Sequence, residues 1–137
     1  MATSPSMSVR KAAYWASTAC AALALGAAGA ADLVRAPAVM EGLAHLGYPA
    51  YFATIRGTWE LLGAAAILAP DRPRLKERAY AGMFFALTGA AMSHAISGDA
   101  SAKIGPLVLL AAVIVSYSTR PARRAFFPAE IAAPRAA

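Results

Sequence analysis

A chain of 137 residues, 59% hydrophobic and only 15% charged, has too few charges for an ordinary soluble domain, and it gathers its apolar residues in blocks between charged loops. The net charge of +6 does not mark a nucleic-acid binder, because Lys and Arg stand at the ends of the apolar blocks rather than along one helical face. The length holds one domain, and the single cysteine, Cys20, excludes an internal disulfide and a two-cysteine redox relay within the chain.

Residues 1–11 read as a disordered N-terminus, small and polar to Val9 and then basic at Arg10 and Lys11. The apolar run 12–31 follows. Its basic start and the small residues from Gly26 to Ala31 imitate a secretory signal. About 20 residues is long for a signal core, however, and Tyr14 and Trp15 stand where interfacial anchors belong, so an uncleaved first span is expected. Gly26 and Ala30 offer a surface that a neighbouring helix can approach closely.

Between Asp32 and Pro49 a short helix is expected. Pro37 suits a first helical position, Gly47 suits a left-handed stop, and Val39, Leu43 and Leu46 share a face. The second span, 50–69, begins at Tyr51 and Phe52 and stops at Pro70. A charged loop, 71–78, leads to a third span at 79–96, with Gly82, Thr88 and Gly89 as small contact positions. The fourth span is 104–119, with Pro106 in its first turn, and 122–137 is a loosely ordered tail. The fold class is therefore all-α: an integral membrane four-helix bundle over 12–121, with a short extra helix in the first external loop. Arg10, Lys11, Arg72, Arg74, Lys76, Arg78, Arg120, Arg123, Arg124 and Arg135 fall on one side, against Arg35 and Lys103 on the other. By the positive-inside rule both termini and the middle loop are cytoplasmic.

The second span carries Arg56 and Glu60, four residues apart and so on one helical face. Charges at membrane depth cost several kcal/mol by insertion scales and mark functional places. At about 1.5 Å per residue, Arg56 lies about 9 Å and Glu60 about 15 Å below the outer end of the span. Asp32 stands at the outer end of the first span, Ser93 and His94 near the outer end of the third, and Asp99 in the turn beyond. These positions suggest an outer-half polar cavity floored by Glu60, with Arg56, Glu60, His94, Asp99, Trp59 and Asp32 as ligand-binding candidates. The competing reading makes Arg56 and Glu60 a structural pair that neutralises itself. Trp59, Tyr48 and Phe85 either line a pocket or pack between helices, Cys20 packs inside the first span, and His45 is a surface residue. Two histidines on separate elements and a lone cysteine make no zinc or haem motif, and neither a phosphate-cradling glycine loop nor a nucleophile elbow is present.

Several stretches taken together resemble the DoxX-like family of small bacterial membrane proteins. They are His45-Leu46-Gly47-Tyr48-Pro49 leading to Trp59-Glu60-Leu61-Leu62-Gly63, the segment from Arg74 to Gly82, Ser93-His94 with Gly98-Asp99, and Ser116-Tyr117. The resemblance spans roughly residues 12–121. It implies a four-span bundle in the inner membrane and directs attention to Glu60, His94 and Asp99. The family's namesake is a membrane subunit of a thiosulfate:quinone oxidoreductase, which suggests a redox-associated accessory subunit binding a lipophile such as a quinone. Two alternatives stand beside it: an enzyme using Glu60 and His94 as acid and base on a small lipophilic substrate, and an assembly subunit without a ligand. The expected partners are the bilayer, membrane or redox proteins, and further copies of the chain, with no nucleic acid.

Overall fold

Ala, Leu, Met, Lys, Arg and Glu lose little side-chain freedom in a helix, and they are frequent in the apolar blocks of this chain, the run 104–119 adding as many Ile and Val. The computed structural model describes residues 7–99 and 101–121. Those residues form five helices: α1 (Met7–Leu33), α2 (Pro37–His45), α3 (Phe52–Leu68), α4 (Pro73–Ile96) and α5 (Ile104–Ser118). No strand occurs among the described residues.

Two helices begin earlier than the hydropathy suggests. α1 starts at Met7, so residues 7–11 are helical where an unstructured N-terminus was expected; no Gly or Pro interrupts them, and Arg10 and Lys11 are good helix formers. Residues 1–6, like the tail 122–137, lie outside the described residues. α4 starts at Pro73, so most of the expected loop 71–78 is its first turns. Proline is pre-organised for the first helical position, and Arg74, Leu75, Lys76, Glu77 and Arg78 all propagate a helix. Charge governs where a segment sits relative to solvent, not whether it is helical. The short helix appears as α2, with Pro37 opening it and Gly47 closing it at φ 79°.

α1 packs against α3 and α5, α4 packs against α5 and α3, and α2 rests on α3. The α1–α3 crossing is closest at Gly29 and Gly57. A Cβ on Gly57 would stand 2.7 Å from the Gly29 carbonyl oxygen, and one on Gly29 would stand 2.9 Å from that of Gly57. The contact glycines are thus not those picked from the sequence: a Cβ on Gly26, Gly82 or Gly89 would meet nothing within 4 Å. Gly29 lies at the crossing itself, whereas Gly26 stands almost one turn earlier, where nothing approaches its Cβ position.

The apolar core lies toward the end of the molecule that carries the α3–α4 turn. Ala21, Leu25, Ile67, Tyr80, Met83 and Val113 form its centre. Below it the Thr18, Ser116 and Tyr80 hydroxyls join three helices through bonds of 2.6 and 2.7 Å. Lys76 is fully buried and donates its Nζ to the carbonyl oxygens of Ala66 and Ile67, which satisfies the open C-terminal end of α3. Outside the core, Leu23, Trp59, Phe85, Met92 and Val108 are exposed large apolar residues on four different helices. α1 and α4 are long and apolar enough to cross a membrane, while α3 has 17 residues and α5 has 15.

Candidate functional site

The end of the molecule opposite that core holds most of the polar residues picked out from the sequence, and the glycine crossing explains why. With Gly29 and Gly57 in backbone contact, the last turn of α1 is pressed onto α3, and Asp32 is carried to a fully buried position beside Arg56. A buried carboxylate needs a partner, and Arg56 supplies two donors. Its Nε donates to Asp32 Oδ2 at 2.5 Å and its Nη2 donates to Oδ1, a two-pronged pair that matches the guanidinium fork to the carboxylate.

Glu60 lies one turn further along α3. Its Oε1 is 3.7 Å from Arg56 Nε, within ion-pair range and too long for a hydrogen bond. Its Oε2 is buried and has no hydrogen-bond partner. One guanidinium therefore serves two carboxyl groups, and the inner one retains an unfilled acceptor. The expected Arg56–Glu60 pairing is present only as this weaker contact, because Asp32, from another helix, takes the better geometry.

A second polar group ties α2 to the end of α4. His45 Nε2 and Asp99 Oδ2 are 2.8 Å apart, and the Tyr48 hydroxyl and Ser93 Oγ are also 2.8 Å apart. His94 Nδ1 faces the same Asp99 oxygen at 3.6 Å; it is buried and without a hydrogen bond. His45 is a surface residue, as its sequence position suggests, but it holds Asp99 rather than standing alone. Tyr48 stacks on Phe52 with ring centroids 4.6 Å apart, fixing the turn into α3.

Five of the six ligand-binding candidates thus fall into two sets, Asp32–Arg56–Glu60 and Asp99–His94, the second joined by His45. Among the described residues no ion pair joins Glu60 to His94, so the geometry gives no support to these two as one acid–base couple. Trp59 is 70% exposed and points outward instead of lining a site, and Cys20 is exposed as well, not packed inside α1. Among the described residues no three His, Cys, Asp or Glu side chains are placed to hold a metal ion.

Sequence reasoning missed the opposite end. Lys76 reads as one more solvated loop charge, yet it is buried. Arg120 reads as the start of the tail, yet its Nη1 donates to Glu77 Oε1 at 2.7 Å and its guanidinium lies 4.0 Å from the Tyr117 ring centre. The signal available for Lys76 was its place three residues after a proline suited to open a helix.

The sequence model of the DoxX-like family matches residues 16–116, from the third turn of α1 to near the end of α5. No curated protein matches the chain, and no solved structure does.

Proposed function

The chain belongs to the DoxX-like family, and on that premise we propose that it is a four-span inner-membrane protein whose outer half binds a small lipophile with a hydrogen-bonding head at Glu60. The family and the two long apolar helices point to a small membrane protein. In this reading α1, α3, α4 and α5 are the spans, with both termini and the α3–α4 turn cytoplasmic. The exposed apolar side chains support it, since lipid covers what water would not. α3 and α5, at about 1.5 Å per residue, are each shorter than the roughly 30 Å hydrocarbon layer, a mismatch that a bilayer takes up by thinning locally at modest cost.

The observation that carries the site is the buried, unfilled Oε2 of Glu60 beside the Asp32–Arg56 pair. Leaving a polar atom unfilled in an apolar surrounding is unfavourable by about 1–3 kcal/mol, so a ligand that fills it binds there by preference. A carboxylate accepts a hydrogen bond from a hydroxyl, and a protonated carboxyl donates one to a carbonyl. A quinone and its quinol carry these two groups, which makes that couple the ligand class proposed. The chain would then act as an accessory subunit, with electrons supplied by a membrane redox partner.

The test is mass spectrometry and absorption of what co-purifies in mild detergent, for wild type and Glu60→Gln, before and after loading with excess ubiquinone or menaquinone. Stoichiometric quinone in wild type, lost in the variant while the protein stays folded, is the expected result. A wild-type protein that stays empty even after loading refutes the quinone reading and favours the assembly subunit.

A further inference from the structure

We propose that α2 is a flap across the outer mouth of the bundle, latched to the end of α4 through Asp99, and that protonation of His45 tightens the latch. α1 and α4 each pack on α3 and α5, so they stand across the bundle from one another. α2 springs from the turn after Asp32 at the end of α1 and rests on α3. Its C-terminal end and the turn that follows are bonded to the far end of α4 and the turn beyond it, so the segment crosses the mouth at the outer approach to Asp32, Arg56 and Glu60. Leu43 is its buried residue. The bends at the two ends of α2 each turn on a residue in the left-handed region, Arg35 at φ 52° and Gly47 at φ 79°. A helix joined to its neighbours by such bends swings as a unit once its side-chain bonds part.

Among the described residues two side-chain hydrogen bonds tie this segment to the α4 end. One joins the hydroxyls of Tyr48 and Ser93 at 2.8 Å. The other joins His45 Nε2 to Asp99 Oδ2 at 2.8 Å, and it changes with pH. Histidine gains its proton between pH 8 and 5, and an imidazolium adds charge–charge attraction to its hydrogen bond with a carboxylate. The latch is therefore tight below the histidine range and loosens as pH rises through it. His94 Nδ1, on α4, faces the same oxygen at 3.6 Å and competes for it, which keeps the tightening modest. The neighbouring charges leave this group to itself. Glu41, one turn before His45, and Lys103, at the start of α5, form no ion pair with it among the described residues, and Arg56 on α3 is engaged by Asp32. The flap follows from the fold and needs no ligand at Glu60, so protein purified empty answers the test.

The test is the rate of maleimide labelling in detergent of Leu43→Cys, beneath the flap, divided by that of Ala44→Cys, on its exposed side. Both are made in a Cys20→Ala background, and the ratio cancels the pH dependence of the thiol reaction. With the latch intact the ratio is expected to rise about threefold between about pH 5.5 and about pH 8, the size of a partly exposed ion pair. His45→Gln, which keeps a hydrogen bond to Asp99 but cannot gain a proton, should hold the ratio near its pH 8 value throughout. His94→Gln should keep the rise. Tyr48→Phe should raise the ratio at both pH values and keep the rise as well, which a merely structural role for His45 would not distinguish. Should Leu43→Cys fail to fold by size exclusion, Leu46→Cys on the same helical face reports instead. A ratio independent of pH in the intact latch would overturn the proposal, as would a full rise surviving in His45→Gln. Leu43→Cys reacting as fast as Ala44→Cys at both pH values would overturn it too, by showing that nothing is covered.

Discussion

Asp32 and Glu60 compete for one guanidinium, and the outcome separates their roles. Asp32 is wholly buried and holds Arg56 through both oxygens, so removing it strands a charge between two packed helices. Asp32→Ala is expected to destabilise the protein by roughly 2–4 kcal/mol, below the full value for a buried pair because Arg56 keeps partial access to its surroundings. Heating in detergent followed by size exclusion would register this as a lower temperature of loss. Glu60→Gln has far less to lose, since Oε2 has no partner and Oε1 is too distant from Arg56 to hydrogen-bond. Its melting temperature should stay near the wild-type value, within about 0.5 kcal/mol of stability, even as ligand retention falls. A Glu60→Gln protein as unstable as Asp32→Ala would mean that both carboxylates are structural. Helical spacing puts Arg56 and Glu60 on one face, but it says nothing about the residue on α1 that wins the contest.

At the scale of elements, the α1–α3 crossing is the hinge on which the outer site depends. Gly57 sits with Asp32 Cβ and the Gly29 carbonyl oxygen each 2.7 Å from where its own Cβ would be. Backbone cannot swing aside as a flexible side chain does, so Gly57→Ala must separate the helices and loosen the Asp32–Arg56 pair with them. The expected loss is about 1–3 kcal/mol. Gly26→Ala is the control: nothing lies within 4 Å of its new methyl group, and alanine is the better helix former by up to about 1 kcal/mol. Thermal unfolding of the pair should show opposite signs, and matching losses would place a neighbour against Gly26 that the isolated chain lacks. The other end is held differently. Lys76 closes the C-terminal end of α3 from the first turn of α4, so a tight turn and a buried cation take over where glycine contact ends.

For the whole molecule, polarity is divided by end. One end has the apolar core, the hydroxyl chain of Thr18, Ser116 and Tyr80, and the Arg120–Glu77 pair; the other has the two carboxylate clusters. The proposed topology makes the first end cytoplasmic, which is checked by cysteine labelling in a Cys20→Ala background. His45→Cys should react with an impermeant maleimide in intact spheroplasts, and Asp71→Cys only after lysis. The reverse pattern would invert the orientation, and equal labelling of both without lysis would refute the proposed topology.

The all-helical character, the family, the short helix between Pro37 and Gly47, and the set of polar residues near one end were legible in the sequence. Each of these depends on local properties: helix propensity, a proline and a glycine at fixed offsets, and the distance of a charge from the end of an apolar run. The pairing was not legible. That Asp32 takes Arg56, that Asp99 lies between His45 and His94, that Lys76 is buried, and that Gly29 rather than Gly26 makes the helix contact all depend on how helices are rotated against one another. A single sequence carries that rotation only implicitly, because a shift of one residue turns a helix by about 100° and changes which side chains meet. Tertiary packing alone decided it: at the crossing where Gly29 and Gly57 bring two backbones together for Asp32 and Arg56, and at the α3–α4 turn for Lys76.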